Sequence, residues 1–276
     1  MKKYSVIQDI PVLQAYALEI LLVVDSFCRK NNIPYYMGEG TLLGAIRHQG
    51  FIPWDDDVDL LMKREDYDRF ITLFSKNLPC GYALDCMETN PLHWTICAKV
   101  QIVRKTRFLQ EKVHGIGLHD GPHIDIFPLD WVPKKDSLRQ RYLGLKTDAF
   151  KVMLWIKTGY TSNICSWKRR LLFVVSRFFK VKTIHNILNS TMRQYDKRPC
   201  NYLVNYGSLY PVKLQTFPES YYGTPKEQRF ENYSFLIPEK SEKIISSIYG
   251  NYNELPPYSK RLPKHSFIKK NIRRER

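Results

Sequence analysis

Between residues 10 and 28 apolar side chains recur at helical spacing, with Leu13, Tyr16, Ala17, Ile20, Leu21, Val24, Phe27 and Cys28 three and four apart. Asp9-Ile10-Pro11 ahead of them supplies a capping carboxylate and a proline in the first turn, and Asn31, Asn32 and Pro34 close the pattern. The pattern then shortens. Ile33 to Met37 predicts a brief strand cut off by Gly38-Glu39-Gly40, Thr41 to Arg47 a short helix, and Val58 to Met62 a buried strand. Arg64 to Leu78 is helical again, with Tyr67, Phe70, Ile71 and Phe74 on one face. Strands are expected at Tyr82–Met87, Thr95–Val103 and Ile124–Phe127. From Asp136 to about Asp196 the period is helical, followed by short strands at Tyr202–Tyr206 and Phe235–Ile237 and a helix from Glu239 to Tyr249.

Alternating strands and helices of this kind predict an α/β (α+β) fold, a mixed sheet flanked by helices. Residues 1–133 and 200–260 are expected to form one body, 134–199 a basic helical insertion, and 261–276 a basic tail. A chain of 276 residues, 43% hydrophobic, is long enough to bury a substantial core. Met1 to Asp9 lacks the continuous apolar region of a secretory leader, and no stretch reaches about 18 uninterrupted apolar residues, so neither a leader nor a spanning helix is expected. The six cysteines contain no CxxC pair and read as reduced, mostly buried thiols. Cys80, Cys86, His93 and Cys97 match no familiar zinc spacing.

The net charge of +16 is unevenly placed. Residues 131–200 hold sixteen Lys and Arg against three acids, and residues 260–276 hold eight against one, while the remainder is close to neutral. A basic block implies an anionic partner. From Lys168 to Lys182, the cations Lys168, Arg169, Arg170, Arg177, Lys180 and Lys182 are interleaved with bulky apolar residues and no anion. This composition fits a helix at an anionic membrane surface better than a nucleic-acid site, since no nucleic-acid motif accompanies it.

The candidate chemistry lies in Trp54-Asp55-Asp56-Asp57-Val58-Asp59. In extended chain Asp55, Asp57 and Asp59 project to one side while Val58 and Leu60 enter the core. Carboxylates packed this way repel one another unless a cation sits among them, and two of them two residues apart at a strand end suit Mg²⁺. An EF-hand beginning at Asp55 is excluded, because Leu60 stands where it needs Gly and Asp66 where it needs Glu. Upstream, Gly38 to Gly44 leads from a strand into a helix, a place where backbone amides can approach phosphate, although the Walker GK[ST] element is absent. Asp125, between Ile124 and Ile126, is a polar residue inside an apolar strand and needs a partner, which a metal shared with Asp57 and Asp59 would provide.

Gly40-Thr41-Leu42-Leu43-Gly44-Ala45-Ile46-Arg47, Gly50 to Asp59, Arg64-Glu65-Asp66-Tyr67, Ile124 to Asp130, and Tyr249-Gly250-Asn251-Tyr252 with Leu255-Pro256-Pro257 closely resemble the LicD family, from about residue 30 to 265. The resemblance implies a nucleotidyltransferase-like fold shared with bacterial phosphocholine transferases and with the fukutin group, which transfers ribitol phosphate. It implies a reaction in which a hydroxyl of a lipid-linked glycan precursor, of teichoic acid or lipopolysaccharide type, attacks CDP-choline and CMP leaves. Asp57, Asp59 and Asp125 would hold Mg²⁺ (or Mn²⁺), with Asp125 the alternative proton acceptor. Gly40, Thr41, Arg47, Lys99 and Arg104 would meet donor phosphates, and Trp54, Trp94, Trp131 and Tyr36 are candidate walls of a choline cage. The expected place of action is the cytoplasmic side, peripheral on the inner face of a bacterial cell membrane. Transfer of ribitol or ethanolamine phosphate, transfer of a nucleotidyl group, and a non-catalytic membrane-surface role remain alternatives at this point.

Overall fold

A computed structural model of the chain describes residues 5–7, 10–103, 108–110, 121–160, 166–196, 198, 200–263 and 267–269. The chain opens with β1 (Ser5–Ile7) and α1 (Ile10–Lys30), then β2 (Tyr36–Met37), α2 (Glu39–Arg47), β3 (Asp59–Lys63) and α3 (Arg64–Lys76). Strands β4 (Tyr82–Asp85), β5 (Ala98–Ile102), β6 (Phe108–Gln110) and β7 (His123–Val132) follow. Three helices come next, α4 (Leu138–Lys157), α5 (Trp167–Ser176) and α6 (Val181–Met192). The chain then returns through β8 (Tyr202–Val204), β9 (Thr216–Pro218), α7 (Glu219–Tyr222), β10 (Lys226–Phe230), β11 (Tyr233–Ile237), α8 (Ser241–Tyr249) and β12 (Phe267–Lys269).

The principal sheet is mixed and has seven strands, in the order β2-β3-β7-β5-β4, with β8 added to β7 and β9 to β8. Only β3 and β7 run parallel; the other pairs in this sheet are antiparallel. Strand β7 is long enough to serve two neighbourhoods. Its first half is sandwiched between β3 and β5, while Asp130 to Val132 pair with β8. A small sheet β1-β12-β6 and the hairpin β10-β11 complete the fold.

Helix α1 is long and apolar enough to cross a membrane by length and composition. Leu13, Ala17, Ile20, Leu21, Val24 and Cys28, each at most 2% exposed, nevertheless form one buried face, and all but Leu13 belong to the principal core, so the helix reads as the core helix of this body. Asp9, its expected cap, lies outside the described residues. Tyr67, Phe70, Ile71 and Phe74 of α3 enter the same core. Arg64, at the start of α3, donates two hydrogen bonds to Asp130 of β7, at 2.7 and 2.9 Å, with both side chains fully buried. Two residues of the LicD-like pattern are thus structural, a bidentate pair that fixes α3 to the sheet.

A second core unites the basic helices with the sheet: Leu143, Met153 and Leu154 of α4 and Ile184, Leu188 and Met192 of α6 pack with Ile96, Val132, Val204 and Tyr206. Lys151 of α4 donates to the Tyr206 carbonyl at 2.8 Å, and Gln140 hydrogen-bonds Thr216 of β9. Two sequence expectations change here. Strand β3 begins at Asp59, so Asp55 to Val58 are irregular rather than alternating. The stretch from Lys168 to Lys182 is also not one helix, because α5 ends at Ser176 and α6 starts at Val181.

Candidate active site

The pairing of three strands sets the chemistry. In the parallel pair, Asp59 lies opposite Asp125, and in the antiparallel pair on the other side of β7, Asp125 lies opposite Lys99. Residues in register across neighbouring strands point to the same face, so two carboxylates and an ammonium form a row. Lys99 Nζ donates to Asp125 Oδ1 at 2.6 Å, and Lys99 is 4% exposed. Burial is the largest influence on the Lys99 pKa and lowers it, but the charge of Asp125, the neighbouring Cys97 and the hydrogen bond to Asp125 together outweigh it, and the net shift is upward, so this lysine stays cationic at neutral pH.

The row opens into a cavity of about 600 Å³ whose polar lining includes Asp57, Asp59, Asp125, Lys99 and Glu39, with Gly40 beside them. The N-terminal turn of α2 is therefore part of the wall. Thr41 is buried, and its hydroxyl accepts from the Asp59 amide at 2.9 Å. It positions β3 against α2 and does not line the cavity. Glu39 has a left-handed backbone (φ 47°), and its two carboxylate oxygens accept from Asn205 Nδ2 at 3.2 Å and Gln215 Nε2 at 3.3 Å. Holding a non-glycine residue in that region costs about 1 kcal/mol or more, which these two buried amides help to offset. Gly207 closes the opposite approach: a Cβ there would meet the Phe127 ring at 2.3 Å, so only glycine lets this loop close on β7.

Asp55, Asp56 and Asp57 bring one ligand atom each within 4.8 Å of one another, with Asp55 and Asp56 buried. Among the described residues this is the three-carboxylate group close enough to share an ion, and it differs from the expected set of Asp57, Asp59 and Asp125. Asp57 belongs to both groups, lining the cavity with Asp59 and Asp125 while touching Asp55 and Asp56. The donors are all hard oxygens, which fits Mg²⁺ or Mn²⁺.

The rest of the cavity is aromatic. Trp94 and Tyr160 stack at 3.8 Å with 10° between their planes, Trp155 tilts against Tyr160 at 6.0 Å, and Lys99 Nζ sits 5.0 Å from the Trp94 ring centre. Tyr210 and Tyr249 meet edge to face at 5.8 Å and line the same space with Phe127. Burial pushes the Tyr160 and Tyr249 hydroxyls upward, and the charge of Glu39 adds to the shift at Tyr249. Both therefore remain protonated donors at neutral pH.

Several sequence-predicted positions lie elsewhere. Of the four cage candidates only Trp94 reaches the cavity. Tyr36 is buried in the core and donates to the Gly223 carbonyl, Trp131 donates to Glu65, and Trp54 lies under Arg261 at 5.3 Å. Arg47 is not a phosphate ligand in this arrangement, since its guanidinium donates to the Tyr252 carbonyl at 2.7 Å and to His48. Arg104 lies outside the described residues. Sequence reasoning missed Glu39, Trp155, Tyr160, Tyr210 and Tyr249. Tyr249 lies in a segment that carried the family resemblance; Trp155 and Tyr160 lie in the basic helical stretch, where no spacing sets them apart from packing aromatics.

Residues 32–149 match the LicD/FKTN/FKRP nucleotidyltransferase domain, a span that contains α2, the acidic run, Lys99 and Asp125. The chain is 28% identical over 263 residues to the lipopolysaccharide cholinephosphotransferase LicD of Haemophilus influenzae, covering 91% of this chain and 94% of that protein. A shorter match, 37% identical over 78 residues, links 28% of the chain to 29% of an uncharacterized protein of Rickettsia prowazekii. Residues 32–149 thus resemble the nucleotidyltransferase domain of the LicD family, and the likeness to a LicD protein runs along most of the chain.

Proposed function

We propose that this protein is a phosphotransferase that moves phosphocholine from CDP-choline to a hydroxyl of a lipid-linked glycan precursor of lipopolysaccharide or teichoic acid type, releasing CMP. The observation that carries the reading is the meeting, in one cavity, of four carboxylates, a buried lysine, a helix N-terminal turn and an aromatic wall. A diphosphate, a cation-bearing headgroup and a flat base each find a suitable surface there. The overall likeness to a lipopolysaccharide cholinephosphotransferase supports the choice of transferred group.

In this mechanism the acceptor oxygen attacks the β-phosphorus, the bond from that phosphorus to the bridging oxygen breaks, and CMP departs with the electron pair. Lys99 and the N-terminal turn of α2 meet the negative charge that develops on the phosphates. Asp57, which lies close to Asp55 and Asp56 and lines the cavity with Asp59 and Asp125, would anchor Mg²⁺ (or Mn²⁺) with these neighbouring carboxylates, and the ion would polarise phosphoryl oxygens and neutralise the diphosphate. Asp125 would be the acceptor of the hydroxyl proton, a role that the Lys99 ammonium 2.6 Å away supports by stabilising its ionised form before transfer. The test is CMP release from CDP-choline, CDP-ethanolamine and CDP-ribitol, with Asp57→Ala as control. CMP release from CDP-choline, lost in the variant by about 10³-fold, is the expected result. A CDP-ribitol preference, or attachment of a nucleotidyl group to the acceptor, would replace the reading.

The basic helices favour a membrane address. On α5, Trp167, Leu171 and Val174 form an exposed apolar stripe, extended by Phe178 at 85% exposure, and Lys168, Arg170 and Arg177 are exposed around it. An uncovered apolar stripe ringed by cations suits the anionic lipid surface on which a lipid-linked acceptor resides. Flotation with phosphatidylglycerol vesicles should be lost when Lys168, Arg170, Arg177 and Lys180 are changed to Glu; equal flotation of both proteins refutes the membrane address.

A further inference from the structure

Two segments far apart in the chain contribute backbone to the cavity wall. The first turn of α2 brings Glu39 and Gly40, and the loop after β8 brings Gly207 to Tyr210. The loop has no helix or strand of its own at these positions, so individual contacts set its place. Gly207 lies against Phe127, and Lys151 of α4 donates to the carbonyls of Tyr206 and Ser208 at 2.8 and 3.4 Å. Gly38, ahead of α2, has no side chain with which to cap the helix, and Glu39, the first helical residue, is left-handed (φ 47°).

Asn205 is bonded to both segments. It follows β8 directly and is 1% exposed. Its Oδ1 accepts from the Gly207 amide at 2.9 Å, and its Nδ2 donates to Glu39 Oε1 at 3.2 Å. These neighbours settle which end of the amide is which, because an N–H needs an acceptor and a carboxylate a donor. Its own backbone is fixed as well: the Asn205 amide donates to the Gln215 carbonyl at 3.1 Å, and Gln215 Nε2 donates to Glu39 Oε2 at 3.3 Å. An apolar side chain could fill the same space but would join neither segment. We infer that Asn205, which does not itself line the cavity, is a positioning residue for the transfer reaction. It ties the first turn of α2 to the 207–210 loop and so sets the width of the space that receives the donor. The inference rests on the reading of this cavity as the donor site and deepens it. Its effect is geometric, since a misplacement of about 1 Å in a donor site can cost about 10²-fold in rate.

The test compares the wild type with Asn205→Ala, Asn205→Asp, and Asn205→Asp combined with Glu39→Gln. Asn205→Ala removes both bonds. Asn205→Asp keeps an acceptor for Gly207 but sets a carboxylate against that of Glu39. Adding Glu39→Gln restores a donor and acceptor in the reverse sense, and the new amide carbonyl can still accept from Gln215. Each single variant is expected to lose about 10²-fold in kcat/KM, and the combined variant to return to within about tenfold of the wild type. The affinity for CMP, read by calorimetry, should follow the same order. A merely structural asparagine would lower the denaturant midpoint and leave kcat/KM unchanged well below the melting temperature. That outcome in Asn205→Ala overturns the inference, as does a combined variant no better than Asn205→Asp. If Asn205→Asp does not fold, Asn205→Ala and the combined variant decide. A wild type that uses CDP-ribitol in place of CDP-choline removes the choline reading but leaves this test intact on the other donor. If no CDP-alcohol is turned over, the order of CMP affinities decides, and a wild type that does not bind CMP overturns the inference together with the donor-site reading.

Discussion

The two halves of the cavity were built by different rules. One half comes from β3, β5, β7 and the first turn of α2, where strand register places Asp59, Asp125 and Lys99 side by side. The other comes from α4 and the loops beside it, where Trp155 follows Met153 and Leu154 of the second core and meets Tyr160, and Tyr210 lies on a loop tied to α4 through Lys151. The first half has chemistry that must sit at fixed spacing in the chain, because a one-residue slip would turn each carboxylate to the other face. The second supplies surface and charge environment, which many sequences can provide. Reactivity is expected to fail abruptly when the first half is altered, and affinity to decline gradually when the second is.

The sharpest way to break that division is Lys99→Met. It keeps the length and apolar stem of the side chain but removes the cation from Asp125 and from the phosphates. Loss of one such stabilising donor corresponds to a fall of about 10²–10³ in kcat, measured as CMP release at saturating donor. A change confined to KM would put Lys99 with the binding half instead.

Next in size is an acid response confined to the junction between the two halves. His93 is buried, its ring hydrogen-bonds the Cys97 carbonyl at 2.7 Å, and His185 of α6 reaches the His93 carbonyl at 2.8 Å. Burial is the main cause that lowers the His93 pKa from 6.5 to about 4. The folded protein therefore holds this ring neutral while the unfolded chain takes up a proton below pH 6.5. Its contribution is fully present above that pH and is lost as the pH falls toward 4, by up to about 3 kcal/mol. Denaturant melts at pH 7 and pH 5 should show the decline, and His93→Gln should flatten it. An equally steep decline in the variant would assign the acid response to other groups.

This contrast also explains what could be read from the chain. The acidic run, the glycine turn and Asp125 were legible because their chemistry constrains residue type and spacing together. The principal strands and α1 to α3 were legible because each has one continuous buried face. Alternation in an extended chain turns Asp56 away from Asp55 and Asp57; the chain is instead irregular up to Val58, and that lets three consecutive carboxylates converge. The cage was misplaced for another reason. Tyr36, Trp54 and Trp131 are near the acidic motifs in sequence, but a side chain two strands or one turn away faces the core or the outer surface. Trp155, about a hundred residues beyond the acidic run, arrives by tertiary packing alone.

Trp155→Ala therefore probes the second half directly. Stacking on a ring stabilises bound donor and transition state alike, so KM should rise about tenfold with kcat nearly constant. Steady-state kinetics on CDP-choline separates the two parameters, and a fall in kcat with unchanged KM would mean that α4 takes part in the reactive geometry.

The smallest expected effect tests whether the second half depends on the stability of its own helix. Ser137 caps α4, its hydroxyl accepting from the Gln140 amide at 3.2 Å, and Gln140 in turn joins α4 to Thr216 of β9. Ser137→Ala should cost about 1 kcal/mol of stability, read as a lower denaturant midpoint. Well below the melting temperature α4 stays folded, so the distance from the cap to Trp155, most of the helix length, should leave KM unchanged. A KM that rises with this loss of stability would show that donor affinity draws on a partly open population of α4, and that the two halves of the cavity are joined more loosely than the second core suggests.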